Sequence, residues 1–97
     1  HDALPISQEL FEKLAMYEGK APSCSEVQQI VQKWQEYISE HFYQCDSQML
    51  SYLGTLYITD ERFSEFINCF GSGNLAMFFS KAIEAYCTKQ RGERNER

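Results

Sequence analysis

The chain is poor in the residues that carry most enzyme and metal chemistry. It holds two histidines, and its four cysteines, Cys24, Cys45, Cys69 and Cys87, lie far apart with no C-x-x-C pair. Structural zinc needs closely spaced ligands, so it is disfavoured. No G-x-S-x-G, P-loop or H-E-x-x-H pattern occurs, which leaves the common hydrolase, nucleotide and metalloprotease chemistries without their parts. Asp60 and Glu61 are adjacent, and adjacent side chains on a helix diverge, so they do not make an acid–base pair. Two prolines and five glycines are too few for a disordered chain. No apolar run approaches the roughly 20 residues of a membrane span, and no basic-then-apolar leader opens the sequence. Catalysis, metal, cofactor and membrane are therefore not expected.

What the chain does have is apolar and aromatic mass. It is 43% hydrophobic, with seven Phe, six Tyr and one Trp in 97 residues. That fits one domain over 1–97 with a dense core, because a chain this short buries only ~60–65% of its unfolded surface. The formal charge is −5. Residues 89–97 carry Lys89, Arg91, Arg94 and Arg97 against Glu93 and Glu96 and read as a charged, flexible tail. The remaining body is strongly acidic and a poor match for a phosphate backbone, so nucleic acid is not an expected partner of these residues. A core of this size needs no disulfide staples. The thiols are expected to be free, in a reducing, cytoplasmic setting.

Apolar spacing is helical almost throughout and predicts a compact, all-α domain of five helices. Segment A runs from Ser7 to Glu18, with Leu10, Phe11, Leu14 and Tyr17 on one face and Gly19 as its stop. Segment B is capped by Ser23, with Glu26 completing a capping box. It buries Val27, Ile30, Val31, Trp34 and Ile38, turns Gln28 and Gln35 to water, and ends between Ser39 and Tyr43. Asp46 caps segment C, which carries Met49, Leu50, Leu53, Leu56 and Tyr57. Gly54 inside it marks a close approach. Thr59 caps segment D, with Phe63, Phe66, Ile67 and Phe70 buried. Gly71 to Asn74 form a break. Segment E then carries Leu75, Phe78, Phe79, Ala82, Ile83 and Tyr86 and ends before Gly92. Cys69 and Cys87 read as core.

Tyr and Trp have an apolar body and a polar tip, which suits a partly wet concave surface. Helical spacing gathers Trp34, Tyr37, Ile38 and His41, and sets Tyr52 between Met49 and Leu56. A cleft among segments B, C and E is expected to be lined by Trp34, Tyr37, His41, Phe42, Met49, Tyr52, Leu53, Leu56 and Phe78, as small-molecule sites usually are. Cys45 stands just before segment C, where helix-terminal amides lower a thiol pKa and the neighbouring Asp46 opposes them. His41, the internal histidine, sits at a helix end and suits a capping or surface role better than a haem ligand. An amphipathic partner helix in the same groove is the alternative occupant.

Leu53-Gly54-Thr55-Leu56-Tyr57-Ile58-Thr59-Asp60-Glu61-Arg62-Phe63 resembles L-G-x-x-Y-[VI]-x-D-E-R-F of the TipA-type antibiotic-recognition domains, which stand at the C-terminus of many MerR-family regulators. Phe42-Tyr43-Gln44-Cys45 resembles their F-Y-x-C segment. Gly73-Asn74-Leu75-Ala76-Met77-Phe78 and Ala82-Ile83 resemble their G-L-A-x-[YF] and A-I block. The likeness runs from about Leu10 to Lys89. It implies a globin-like fold and a cleft for large, apolar, often cyclic peptide antibiotics such as thiopeptides. It further implies a parent homodimeric activator, joined by a coiled-coil helix, that touches DNA through a separate N-terminal domain. Neither part lies in these residues, so the fragment alone is expected as a monomer. A further N-terminal segment of the family can order over the ligand as a lid. Some members trap thiopeptides by adding a cysteine thiol to a dehydroalanine. The capturing cysteine precedes the L-G pair, and here that position is Tyr52. Cys45 matches the other, upstream cysteine of the family. The resemblance thus implies recognition without a covalent bond at the usual place.

Overall fold

A computed structural model describes residues 4–95, and the surroundings of side chains from Ser7 to Arg91. His1, Glu96 and Arg97 lie outside the described residues, as do the side chains of Glu93 and Arg94. The elements are α1 (Leu4–Met16), α2 (Ser25–His41), α3 (Ser47–Thr59), α4 (Glu61–Asn68) and α5 (Leu75–Asn95). The fold is all-α. Among the described residues the one β-type contact is an isolated bridge between Glu18 and Lys20.

Most expected boundaries hold to within a turn, and the differences have local causes. The first helix begins at Leu4, so Ser7 lies inside it and is buried. Gly19 takes φ +98°, a left-handed conformation that glycine adopts without a Cβ clash, and it turns the chain out of α1. Ser23 does not cap α2. A hydrogen bond from the Cys24 amide to the Ala21 carbonyl winds the chain one residue further. Cys24 then takes the N-cap position with no side-chain bond, and Ser23 stays exposed. Asp46 caps α3 as expected, its carboxylate accepting the Met49 N–H at 2.8 Å.

Thr59 does not cap α4. It is the last residue of α3, and its hydroxyl donates back to the Thr55 carbonyl at 3.0 Å. Asp60 does the capping, its carboxylate accepting the Arg62 N–H at 2.9 Å. The same residue closes α3 by donating its own N–H to Leu56 at 2.9 Å. Asn68 caps α5 from a distance, its side-chain oxygen accepting the Ala76 N–H at 2.7 Å. The last helix passes through Gly92 to Asn95 rather than stopping before it.

Phe79 is the centre of the core. It is flanked by Phe11 of α1 at 5.5 Å, Trp34 of α2 at 6.2 Å and Tyr57 of α3 at 6.0 Å between ring centroids. The first two meet it edge-on and Tyr57 is stacked, the two geometries aromatic quadrupoles favour. Two helices can approach closely where one lacks a side chain, and Gly54 supplies that gap. A Cβ there would lie 3.1 Å from Ile83 Cγ2, so the glycine seats α3 on α5. The Glu18 carboxylate accepts both the N–H and the hydroxyl of Ser72, tying the turn after α1 to the loop before α5.

Several side chains depart from the sequence expectation. Phe63 and Phe66 are exposed, Phe70 is half-buried, and only Ile67 of α4 is fully inside. A two-turn helix offers a narrow inner stripe, and a wider apolar face overflows it. Cys69 is exposed while Cys87 is buried. Gln28 and Gln35 are only partly exposed and are hydrogen-bonded inward. The Gln28 amide donates to the carbonyls of Pro22 and Ala82 at 3.0 and 3.1 Å. Gln35 donates to the Cys45 carbonyl at 3.0 Å and accepts from the Tyr86 hydroxyl at 3.1 Å. Both stitch α2 to neighbouring elements.

Candidate functional site

The outer faces of α1 and α2 form a groove of about 630 Å³. Side chains three or four apart on a helix share a face. One wall follows that spacing on α1 through Glu9, Leu10, Glu12, Lys13 and Met16. The other follows it on α2 through Lys33, Glu36, Tyr37, Glu40 and His41. Leu10 and Tyr37 are buried at the base, and Met16 is 75% exposed at the edge. The volume lies within the range typical of drug-sized ligand sites.

Four of the expected site residues form one aromatic run here. Trp34 lies behind the wall, stacked on Tyr37 with centroids 5.4 Å apart and ring planes at 24°. Tyr37 meets His41 at 4.8 Å and Phe42 at 5.9 Å. Tyr37 and His41 line the groove itself. Phe42 closes α2 and is 61% exposed. Trp34 is anchored from below, its indole N–H donating to the Tyr57 hydroxyl at 3.2 Å. Burial pushes the Tyr57 phenol up to about 12, against the smaller lowering effect of that hydrogen bond.

The other expected residues do not line this groove. Leu53 is a core residue, while Leu56 and Phe78 are half-buried against the core. Met49 and Tyr52 are exposed on α3, Tyr52 by 60%. Cys45 is buried, its N–H held by the Ser39 hydroxyl at 3.1 Å. Burial, then the charge of Asp46, then Cys87 push its thiol up. The lowering by helix amides weighed from the sequence is thus outweighed. A raised pKa leaves little thiolate, and the thiolate is the nucleophile.

Sequence reasoning missed the charged members of the groove. Glu36 and Lys33 read as a solvated face, and Glu9, Glu12, Lys13 and Glu40 flank an apolar stripe in the way surface residues do. Their helical spacing was visible. Their convergence comes only from the pairing of α1 with α2. Among the described residues no group of three or more His, Cys, Asp or Glu is placed to hold a metal ion. Among the described residues no helix is long and apolar enough to cross a membrane.

Residues 4–86 match the TipAS antibiotic-recognition domain. The HTH-type transcriptional activator mta of Bacillus subtilis (strain 168) is 35% identical over 85 residues, which cover 88% of this chain and 33% of the relative. The chain thus spans about a third of the length of that curated protein. No solved structure matches. With the motif order, the five helices and the match over residues 4–86 in agreement, the chain belongs to the TipAS antibiotic-recognition domain family.

Proposed function

We propose that this domain is the ligand-sensing part of a MerR-type transcriptional activator and that it binds hydrophobic multi-ring or peptide antibiotics of the thiopeptide kind without a covalent bond. The observation that carries the reading is the aromatic run Trp34–Tyr37–His41–Phe42, which leads from the core to the open wall of a drug-sized groove. Aromatic faces with few fixed polar groups accommodate varied apolar rings. Two features support reversible binding. Tyr52 occupies the position of the family's capturing cysteine, and Cys45 is buried with its thiol pKa raised. DNA contact and dimerisation belong, in this reading, to parts of a longer cytoplasmic protein such as the activator from Bacillus subtilis, of which this chain covers 33%.

Trp34 is the single tryptophan and stacks on the groove wall, so its emission reports occupancy. Titration with thiopeptides should shift that emission and raise the melting temperature. If neither moves, the reading fails. A second reading has its own support in the exposed Phe42 and Tyr43 beyond the end of α2. These rings also suit an amphipathic partner helix. A stable protein partner in a pull-down, with no small-molecule effect on Trp34, would favour it.

A further inference from the structure

Phe42, Tyr43 and Gln44 leave the end of α2 exposed, and the chain is fixed again at Cys45, which is buried. Phe42 and Tyr43 both donate their N–H to the Ile38 carbonyl, at 2.9 and 3.1 Å, and close the helix. The Cys45 N–H donates to the Ser39 hydroxyl at 3.1 Å. The Cys45 carbonyl accepts from the Gln35 amide at 3.0 Å and from the same hydroxyl at 3.4 Å. Gln35 is held in turn by Tyr86 of α5, whose hydroxyl donates to its side-chain oxygen at 3.1 Å. Gln35 and Ser39 stand one turn apart on one face of α2, and between them they take both main-chain groups of Cys45. The loop is thus pinned at both ends and has few conformations open to it. The direction in which Phe42 leaves the helix follows from where Cys45 is pinned. Phe42 takes φ −126° and ψ −63°, away from helical values. Its ring meets Tyr37 edge-on at 5.9 Å, and at 61% exposure it has little packing of its own to keep it there.

We infer that Gln35 and Ser39 are positioning residues for ligand recognition: by pinning Cys45 they hold the Phe42 ring against Tyr37, ready for the ligand. Tyr86 supports them through Gln35. The inference rests on the ligand-sensing reading above and adds to it residues that do not line the groove. A ring already in place is not ordered again on binding, whereas a ring released into solvent must be, and affinity falls by that cost.

Ser39→Ala deletes both bonds of the hydroxyl, and Gln35→Met deletes the amide while keeping the length of the side chain. Titrated with thiostrepton, a thiopeptide, and followed by Trp34 emission, each variant should bind about fivefold more weakly than wild type. In a Phe42→Ala background the same changes should alter affinity by less than about twofold, because the ring they place is gone. Ile67→Val, a core change on α4 away from the loop, should lower the melting temperature and leave affinity within about twofold. Circular dichroism checks that every variant is folded at the titration temperature. The free domain gives a second readout. The Phe42 ring protons, displaced by the ring current of Tyr37, should move toward solvent-exposed values in Ser39→Ala and hold their place in Ile67→Val. Equal losses with and without the Phe42 ring, or as large a loss in Ile67→Val, would show that Gln35 and Ser39 serve stability alone and would overturn the inference. So would unmoved Phe42 signals in Ser39→Ala. If wild type binds and neither variant loses affinity, the inference fails and the sensing reading stands. If wild type does not bind, both fail together.

Discussion

Trp34 and Tyr57 are joined by a hydrogen bond of 3.2 Å between indole N–H and phenol oxygen, across the interior from α2 to α3. Both side chains are buried. A buried donor that loses its acceptor keeps the full cost of its desolvation. Tyr57→Phe should therefore destabilise the domain by about 1–2 kcal/mol, as measured by urea unfolding. Trp34→Phe should cost more, because it also shrinks the ring that packs on Phe11 and Phe79.

The same phenol sets an alkaline limit. Its pKa is raised from 10.0 to about 12 in the folded chain, so the folded state holds its proton longer than the unfolded state does. The stability this contributes is complete below pH 10 and is lost as pH rises from there through about 12. Melting temperatures of wild type and Tyr57→Phe, followed from pH 9 upward, should converge over that interval. Parallel curves would show that Tyr57 is not the titrating group.

Gly54 and Ile83 should be coupled. A Cβ at position 54 lies 3.1 Å from Ile83 Cγ2, close enough that the isoleucine must shift. Helix propensity favours alanine over glycine by about 1 kcal/mol, so Gly54→Ala should leave stability within about 1 kcal/mol of wild type. Gly54→Val gains less propensity and adds two methyl groups, and should cost about 2 kcal/mol or more through overpacking. Ile83→Ala, which removes Cγ2, should cost less in the Gly54→Val background than in wild type. A double-mutant cycle with no coupling energy would show that the two helices adjust elsewhere.

Thiol labelling should separate the four cysteines. Cys69 is exposed and Cys24 half-buried, while Cys45 and Cys87 are buried with pKa values raised chiefly by burial. Iodoacetamide at neutral pH should modify Cys69 first and Cys24 next. Cys45 and Cys87 should react only as fast as the chain opens. A dehydroalanine compound should give no adduct at Cys45 in the folded domain, and mass spectrometry mapping an early adduct there would contradict its burial.

Asp60 should stabilise the acid limb. The Arg62 guanidinium and its backbone N–H hold the Asp60 carboxyl below its usual range. Its contribution is present above the unfolded carboxyl pKa and fades as pH falls through the lower folded value. Asp60→Asn keeps a capping oxygen and loses the ion pair, while Asp60→Ala loses both. The melting temperature should fall in the order wild type, Asn, Ala at pH 7, with the gap between wild type and Asn closing in acid.

The helices and the core were largely legible in the sequence because period and punctuation agreed. Val27, Ile30, Val31, Trp34 and Ile38 sit on one stripe and are all buried. Gly19 stops a helix by its left-handed backbone and Asp46 starts one by its carboxylate. The cap errors at Ser23 and Thr59 are one-residue errors. At Thr59 a second good capping residue, Asp60, stands next along the chain and takes the role. At Ser23 one further turn bond moves the helix start past it to Cys24. The nearness of Trp34, Tyr37 and His41 was readable from helical spacing; the contact of Phe42 with Tyr37 was not. Nor was the groove. Its charged walls look like ordinary surface until two helices are laid together, and Gln28 and Gln35 were mistaken for solvent-facing residues for the same reason.

The junction at Asp60 carries one more consequence. A single residue ends α3 and begins α4, so there is no slack between the two. Asp60 is extended, so a residue inserted beside it would lengthen the elbow by up to about 3.5 Å and draw Ile67 away from its place in the core. The length of chain at this elbow is therefore as strictly prescribed as the identity of any buried side chain.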